Sequence, residues 1–417
     1  MNKMEKNMDP GSISPRGTFA ALQFPNYRLW FFGQMISLVG TWMQSTAQGY
    51  LVYTLTGSAA YLGVITFING VPAWLLMMYG GLIADRIPKR TLMIITQTAM
   101  MVLAFIMAAL VFTNVVAPWH IAVLAFLLGV ANAFDAPARQ SFVIELVDRE
   151  YMTNAIALNA TMFNTGTVIG PAIAGITYAA FGPAWCFTIN GISFIAVIIG
   201  LALMKLKPLE QIQIRRNALA EIKEGIQYVV KNKIIRGLIA YYGFLATFGF
   251  GLVALMPVWA VSVLHGDVTT NGYLLSARGI GSLAAGLFLA ALGNKRIRGK
   301  MWGISTLALP VGWFAFAWIT NLPLSLILLG LIGFILILIA NLTNSMVQTH
   351  VDDQIRGRVM GIYTMVFFGF SPIGSLISGF SAEHLIGSQW TVAACGLILM
   401  AISLFTWFKL PYLREVE

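Results

Sequence analysis

Four charged residues, Asp85, Arg86, Lys89 and Arg90, stand within six positions between two apolar runs, 59–79 and 91–112. Three bases are enough to fix which side of a membrane such a hairpin occupies. Asp85 is not needed for that. An acid at a membrane edge can hold a partner charge, with Arg358 the candidate partner, so Asp85 with Arg86, Arg90 and Arg358 are expected to gate.

Asp135, Arg139 and Asn132 are spaced to share one helix face. Pro137 is expected to end that helix, leaving Asp135 and Arg139 as an i,i+4 pair at the same membrane edge. An exposed pair of this kind contributes only about 0.3–0.5 kcal/mol. Gating is therefore the expected role, not stability.

Arg278 is different. It lies about eight residues inside an apolar run, roughly 10 Å deep at 1.5 Å per residue. A centrally placed arginine costs about 2.5–3.5 kcal/mol or more, so it must face a cavity or a partner, or snorkel outward. Carbonyls, water, the acids Asp267 and Glu383, or an anionic substrate could partner it.

Neutral polar stripes complete the set. Gln34, Ser37, Thr41, Gln44 and Gln48 recur at three- and four-residue steps. Lipid cannot solvate that face, so it points inward. Asn341 and Asn344, followed by Ser345 and Gln348, form a similar stripe. Tyr241 and Phe244 add aromatic surface. Gly166, Gly170, Pro171 and Gly175 read as a close-packing surface with a hinge.

The elements that carry these residues follow from composition. The 417 residues are 58% hydrophobic and 10% charged, with 40 glycines, and the mean hydropathy is +0.78. Soluble domains carry about 25% charge, so the chain belongs in a bilayer. The net charge of +10 is dispersed in short clusters between apolar runs, which argues against nucleic acid. Cys186 and Cys395 sit apart in apolar runs, with no metal spacing. The first 25 residues hold no apolar core of a cleavable signal peptide.

Spans of roughly 20 apolar residues fall at 27–53, 59–80, 91–113, 118–136, 153–180, 184–205, 237–264, 271–293, 301–319, 323–346, 359–383 and 389–410. With both termini cytoplasmic, 25 of the 26 lysines and arginines fall on the cytoplasmic side, and Arg278 is the exception. The expected fold is an all-α membrane protein of twelve helices in two pseudo-symmetric six-helix bundles, 1–205 and 237–417. The connecting segment 206–236 carries a helix, with Leu219, Ile222, Ile226, Val229 and Val230 on its apolar face, lying on the cytoplasmic surface. The halves look related. A shift of 204 lays Gly170 to Gly175 on Gly374 to Gly379, and a shift of 212 lays Gly81 on Gly293 and Arg86 on Arg298. Repeats of this kind put a site at their interface, near the midplane.

Gly81 to Arg90 matches G-x-x-x-D-R-x-x-[RK]-[RK], and in this it resembles the major facilitator superfamily. Gly170-Pro171 with Gly166 and Gly175 resembles the motif of its exporters. Asn132 to Gln140, Asn154 to Asn159 and Arg356 to Met360 resemble the branch of enterobactin exporters and macrolide efflux proteins. The second-half counterpart of the loop has Ile297 where Asp85 maps, and span 4 lacks a mid-membrane arginine.

The resemblance implies a monomeric secondary transporter of the plasma (inner) membrane. It would export a bulky amphiphilic small molecule, a drug or siderophore, by alternating access, with protons as a coupling ion and spans 1, 4, 7 and 10 lining the cavity. Lysolipid or metabolite transport, or a non-transporting receptor, are the alternatives. No G-x-x-x-x-G-K-[ST], H-E-x-x-H or G-x-S-x-G run occurs, so neither an enzyme nor a cofactor is expected. If the loop is a latch, Asp85→Asn loses transport at normal membrane levels. Full transport by that variant would leave topology as its whole role.

Overall fold

The computed structural model describes Gly17 and residues 19–206, 218–292 and 297–415; the side chains of Met78, Asp85 and residues 218–222 lie outside the described residues. The N-terminal bundle comprises α1 (Pro25–Thr56), α2 (Ala59–Arg86), α3 (Lys89–Phe112), α4 (Pro118–Phe142), α5 (Met152–Phe181) and α6 (Pro183–Leu203). A short α7 (Ala218–Lys231) leads to the second bundle. That bundle starts with α8 (Lys233–Leu245), which continues through irregular turns and a short α9 (Met256–Val258) to Val263. It then holds α10 (Val268–Leu292), α11 (Arg298–Phe316), α12 (Leu322–His350), α13 (Arg356–His384) and α14 (Ser388–Lys409). Among the described residues, nine helical stretches are long and apolar enough to cross a membrane by length and composition. α1, α5 and α11 fall outside that set, as expected of helices carrying polar or charged stripes.

Sharp punctuation ends each rod. Pro25, Pro118 and Pro183 open α1, α4 and α6, where the missing N–H costs nothing. Ser58 caps α2 by accepting the Tyr61 N–H, and Asn232 and Asn321 cap α8 and α12. The helix pairs at the end of each half turn on matching glycines. Gly182 has φ 89° and ψ 167°, and Gly387, 205 residues on, has φ 81° and ψ 165°. The same left-handed corner in the same place supports the internal repeat.

Two helix ends differ from the sequence reading. Pro137 does not end α4, which runs on to Phe142. Proline leaves the carbonyl four residues back without a partner, here that of Ala133. Gly80 of α2 sits directly against it: a β-carbon there would lie 2.1 Å from the Ala133 oxygen. The freed carbonyl meets a glycine Cα–H, so the helix continues. Likewise α2 runs through Asp85 and Arg86 to a two-residue turn at Ile87-Pro88. The charges ride on a helix end, not a loop. The second-half copy at 293–296 lies outside the described residues, as does any partner of the Asp85 side chain.

Span 7 is not a plain helix either. Residues 246–250 and 259–263 are wide π-type turns flanking a tight 3-10 turn at 251–255. Irregular backbone at membrane depth survives only when covered by protein, and 67% of this span is buried. α13 covers it: a β-carbon on Gly374 would meet the Thr247 oxygen at 2.0 Å.

α7 packs on α13 through Gly225, near Arg358 and Ile362, and its Glu224 pairs with Arg358. Tyr228 donates to Asp352 at 3.1 Å. Val229 is buried, while Ile226 and Val230 stay exposed. Leu219 and Ile222 lie outside the described side chains.

Candidate functional site

The bundles meet along two helix pairs, α2 with α13 and α5 with α10. Backbones touch through glycine. A β-carbon on Gly63 would lie 2.4 Å from the Ser375 oxygen, and one on Gly379 2.5 Å from the Ala59 oxygen. On the other pair, one on Gly279 would lie 2.5 Å from the Thr167 oxygen and one on Gly272 2.5 Å from the Pro171 oxygen. Thr167 is four residues before Pro171, so its carbonyl too is one that proline leaves free.

Hydrogen bonds tie the same seam at the end remote from the termini. The Ser276 hydroxyl donates to the Val168 carbonyl at 2.7 Å, and Tyr53 bonds Ser262 at 2.7 Å. Glu383 at the end of α13 accepts from the Ser58 hydroxyl and, at 2.8 Å, from the Ala60 N–H. An acid at the start of α2 is where the helix dipole favours it. Sequence reasoning offered Glu383 only as a partner for Arg278; its true partners follow the Gly57-Ser58 corner, a cap signal.

At the terminus-bearing end, the described contacts of the first half's charges stay within that half. Lys89 pairs with Glu145. Arg90 donates to the Ala202 and Met204 carbonyls at 2.6 and 3.2 Å, closing the last turn of α6. Arg86 is exposed. Asp135, with its side chain only 2% exposed, accepts from Thr96 at 2.9 Å and Gln97 at 3.0 Å and lies 3.7 Å from the Arg139 guanidinium. The pair is thus a buried junction of α3 with α4, not a solvated edge. Asn132 donates to its own helix, at Leu128.

The polar stripe of α1 divides. Gln34 and Ser37 are buried, and Gln44 accepts from Asn190 of α6 at 2.6 Å inside the first bundle. Thr41 is exposed and Gln48 partly so. On α12, Asn341 is exposed, and Asn344 accepts from Gln348 at 2.6 Å. Asn344, Ser345, Gln348 and Thr349, with Arg356 of α13, line a cavity of about 510 Å³ at the terminus-bearing end.

Tyr241 leaves the cavity-lining set. It is 2% exposed and bonds Ser403 at 3.0 Å and the Thr306 carbonyl at 3.4 Å. Pro310 frees that carbonyl, which the Ser403 hydroxyl takes at 2.7 Å, and the tyrosine backs this bond inside the bundle. Tyr241→Phe is expected to cost about 1 kcal/mol of stability and leave transport rate unchanged, checked by thermal unfolding beside a flux assay. Phe244 is exposed. Its neighbour Tyr242 stacks on Tyr363 at 4.2 Å and Phe367 at 5.9 Å, beside Phe250. Only the fold brings α13 to span 7 and so assembles this stack.

Gly166 and Gly170 pack on Trp42 of α1, and Gly175 on Thr269 of α10. α5 thereby joins its own bundle to the other one.

Arg278 lies ten residues into α10, roughly 15 Å from its start. Its Nε is buried without a hydrogen-bond partner among the described residues. Asn271 on the same face is fully buried with both amide atoms unpartnered.

Two helical bundles joined by glycine-tight seams, with polar groups held between lipid-facing surfaces, define a secondary transporter embedded in the membrane. The chain belongs to the transmembrane secretion effector family of the major facilitator superfamily, whose model matches residues 16–417. It is 26% identical over 384 residues to the staphyloferrin A transporter of Staphylococcus aureus, covering 91% of this chain and 95% of that one. It is 26% identical to the multidrug efflux pump Tap of Mycolicibacterium fortuitum, covering 93% and 96%. With the enterobactin exporter EntS of Citrobacter koseri it shares 25% identity over 91% of both chains. In fold it matches a bacterial homologue of the human lysosomal transporter Spinster, in an inward-facing and unoccupied conformation. The TM-score is 0.74 at 12% identity, covering 94% of this chain and 97% of that one.

Proposed function

We propose that the chain exports a bulky amphiphilic small molecule, of the drug or siderophore kind, across the plasma (inner) membrane by alternating access. Both termini face the cytoplasm in this reading, and a single chain suffices. The observation that carries it is the asymmetry of the two ends. At the end remote from the termini, glycine contacts and the Ser58–Glu383 bond join the bundles. At the other, a polar cavity of about 510 Å³ opens beside Asn344 and Gln348. The names of the relatives support the substrate class and the direction.

Gating belongs to Asp85, Arg86, Arg90, Asp135, Arg139 and Arg358. Contact with substrate belongs to Thr41, Gln48, Phe244, Arg278, Asn341 and Asn344, while Gln34, Ser37 and Gln44 shape the wall from behind. Protons are the proposed coupling ion, with Asp135 the buried carboxylate available to carry them.

Cells with and without the protein are compared for accumulation of rhodamine 123 and of an added siderophore. Export lowers accumulation of at least one. Raised accumulation would reverse the direction, and unchanged accumulation with retained binding would make the chain a receptor.

A further inference from the structure

We infer that the interior face of α10 is an anion subsite of the transport pathway, and that its ligand is a carboxylate-bearing amphiphile held by the Arg278 guanidinium. This rests on the transport reading above and narrows its substrate class.

Position comes first. At about 100° per residue, Gly272, Ser276 and Gly279 form the edge of α10 that touches α5. Gly281 and the Arg278 backbone form the edge that touches Gly330 and Gly333 of α12. Tyr273, Ile280 and Leu287 are exposed on the lipid side. Arg278 lies on the edge packed by α12, on the side of the helix opposite the lipid-facing residues. Its residual exposure therefore opens to the interior. Snorkelling does not account for it, since the start of the helix lies further off than an arginine side chain reaches and Nε is already sealed from solvent.

Among the described residues, no acid pairs with Arg278. Asp267 is committed to the first turn of α10, accepting the Thr270 N–H at 3.0 Å. Glu383 is committed to Ser58 and Ala60. Asp135 serves Thr96, Gln97 and Arg139 in the other bundle. Of the other described acids, Glu145, Asp148, Glu150, Glu224, Asp352, Asp353 and Glu415 lie toward the terminus-bearing end. Among the described residues, nothing accepts from the Arg278 guanidinium. A buried charge needs a partner, and a planar guanidinium fork matches a carboxylate with two parallel bonds.

The frame is rigid and prepared. A β-carbon on Gly333 would lie 2.2 Å from the Arg278 oxygen, so α12 presses on this turn of backbone. Asn271, two turns away on the same face, brings an unpartnered amide. A charge, a neutral donor and acceptor, and nearby apolar surface suit an anionic head on an apolar body. An inorganic anion such as chloride offers the same charge without the body, and the test separates the two.

The full-length protein in lipid nanodiscs is titrated, by fluorescence polarisation, into 5-carboxyfluorescein and into rhodamine 123. The dyes share a xanthene frame but differ in charge. Proteoliposomes report their movement. The wild type is expected to prefer carboxyfluorescein at least tenfold, a result that needs no variant. Arg278→Gln should weaken carboxyfluorescein at least tenfold and at least tenfold more than rhodamine 123, and Arg278→Lys should restore much of the carboxyfluorescein binding. Equal carboxyfluorescein binding by wild type and Arg278→Gln overturns the inference. So does an Arg278-dependent response to chloride against gluconate with no preference for the carboxylate dye. Rhodamine 123 transport independent of Arg278 and without carboxyfluorescein binding overturns the subsite but leaves export standing. Arg278-dependent binding of carboxyfluorescein with neither dye moved overturns export and leaves the subsite.

Discussion

Gly279→Val is expected to bring transport to about one hundredth of wild type while the protein reaches the membrane in normal amounts. The added methyl groups have no room. The first β-carbon would lie 2.5 Å from the Thr167 oxygen, 2.9 Å from its carbon and 3.1 Å from the Val168 Cα, all backbone atoms of α5. Overpacking within one bundle costs about 1–3 kcal/mol. This contact lies between bundles that must part and close in each cycle, so strain is relieved by keeping them apart. About 3 kcal/mol shifts such an equilibrium by roughly a hundredfold. Folding inside each bundle is untouched. Ser276→Cys, one turn away, provides the readout, because native Cys186 and Cys395 are buried. In the Gly279→Val background it should react faster with a membrane-impermeant maleimide. Gly279→Ala should lie between. Wild-type flux through Gly279→Val would mean that this seam does not close in the cycle.

The contrast between legible and illegible parts has a physical basis. Span positions were readable because lipid demands long apolar runs, and the basic residues punctuate them. What misled at Pro137 was a local rule. Its missing N–H is harmless because Gly80, 57 residues away in sequence, covers the carbonyl it frees. Tyr241 misled in the same way: its periodicity fits a cavity wall, yet its hydroxyl is buried against Ser403, which satisfies the carbonyl freed by Pro310. The irregular turns of span 7 left no local sign beyond Gly249, Gly251 and Pro257, since α13 stabilises them. Gln44 looked like a cavity residue until Asn190 was brought opposite. Arg278 stood out in the sequence for the opposite reason. An isolated charge in an apolar run is costly wherever the fold puts it, and its Nε is indeed buried without a partner among the described residues.

Asp135→Ala is expected to lose transport and also to unfold earlier, whereas Asp135→Asn should lose transport while staying folded. The carboxylate joins Thr96 and Gln97 of α3 to Arg139 of α4. Removing it leaves two donors and a guanidinium facing a hole, and breaking a buried pair costs about 3–5 kcal/mol. An asparagine keeps the shape and one acceptor for α3, so most of that stability remains. It cannot balance Arg139, whose side chain is 24% exposed and can swing toward water once released. The α3–α4 end that carries the Lys89 and Arg90 contacts then loses its fixed charge, and flux should fall at least tenfold. Proteoliposomes separate gating from proton coupling. If Asp135 carries the proton, Asp135→Asn still moves substrate down its own gradient but no longer responds to an imposed pH gradient. If it only gates, both modes fall together. Wild-type flux in both modes would reduce Asp135 to packing, and an unchanged melting temperature in Asp135→Ala would remove even that.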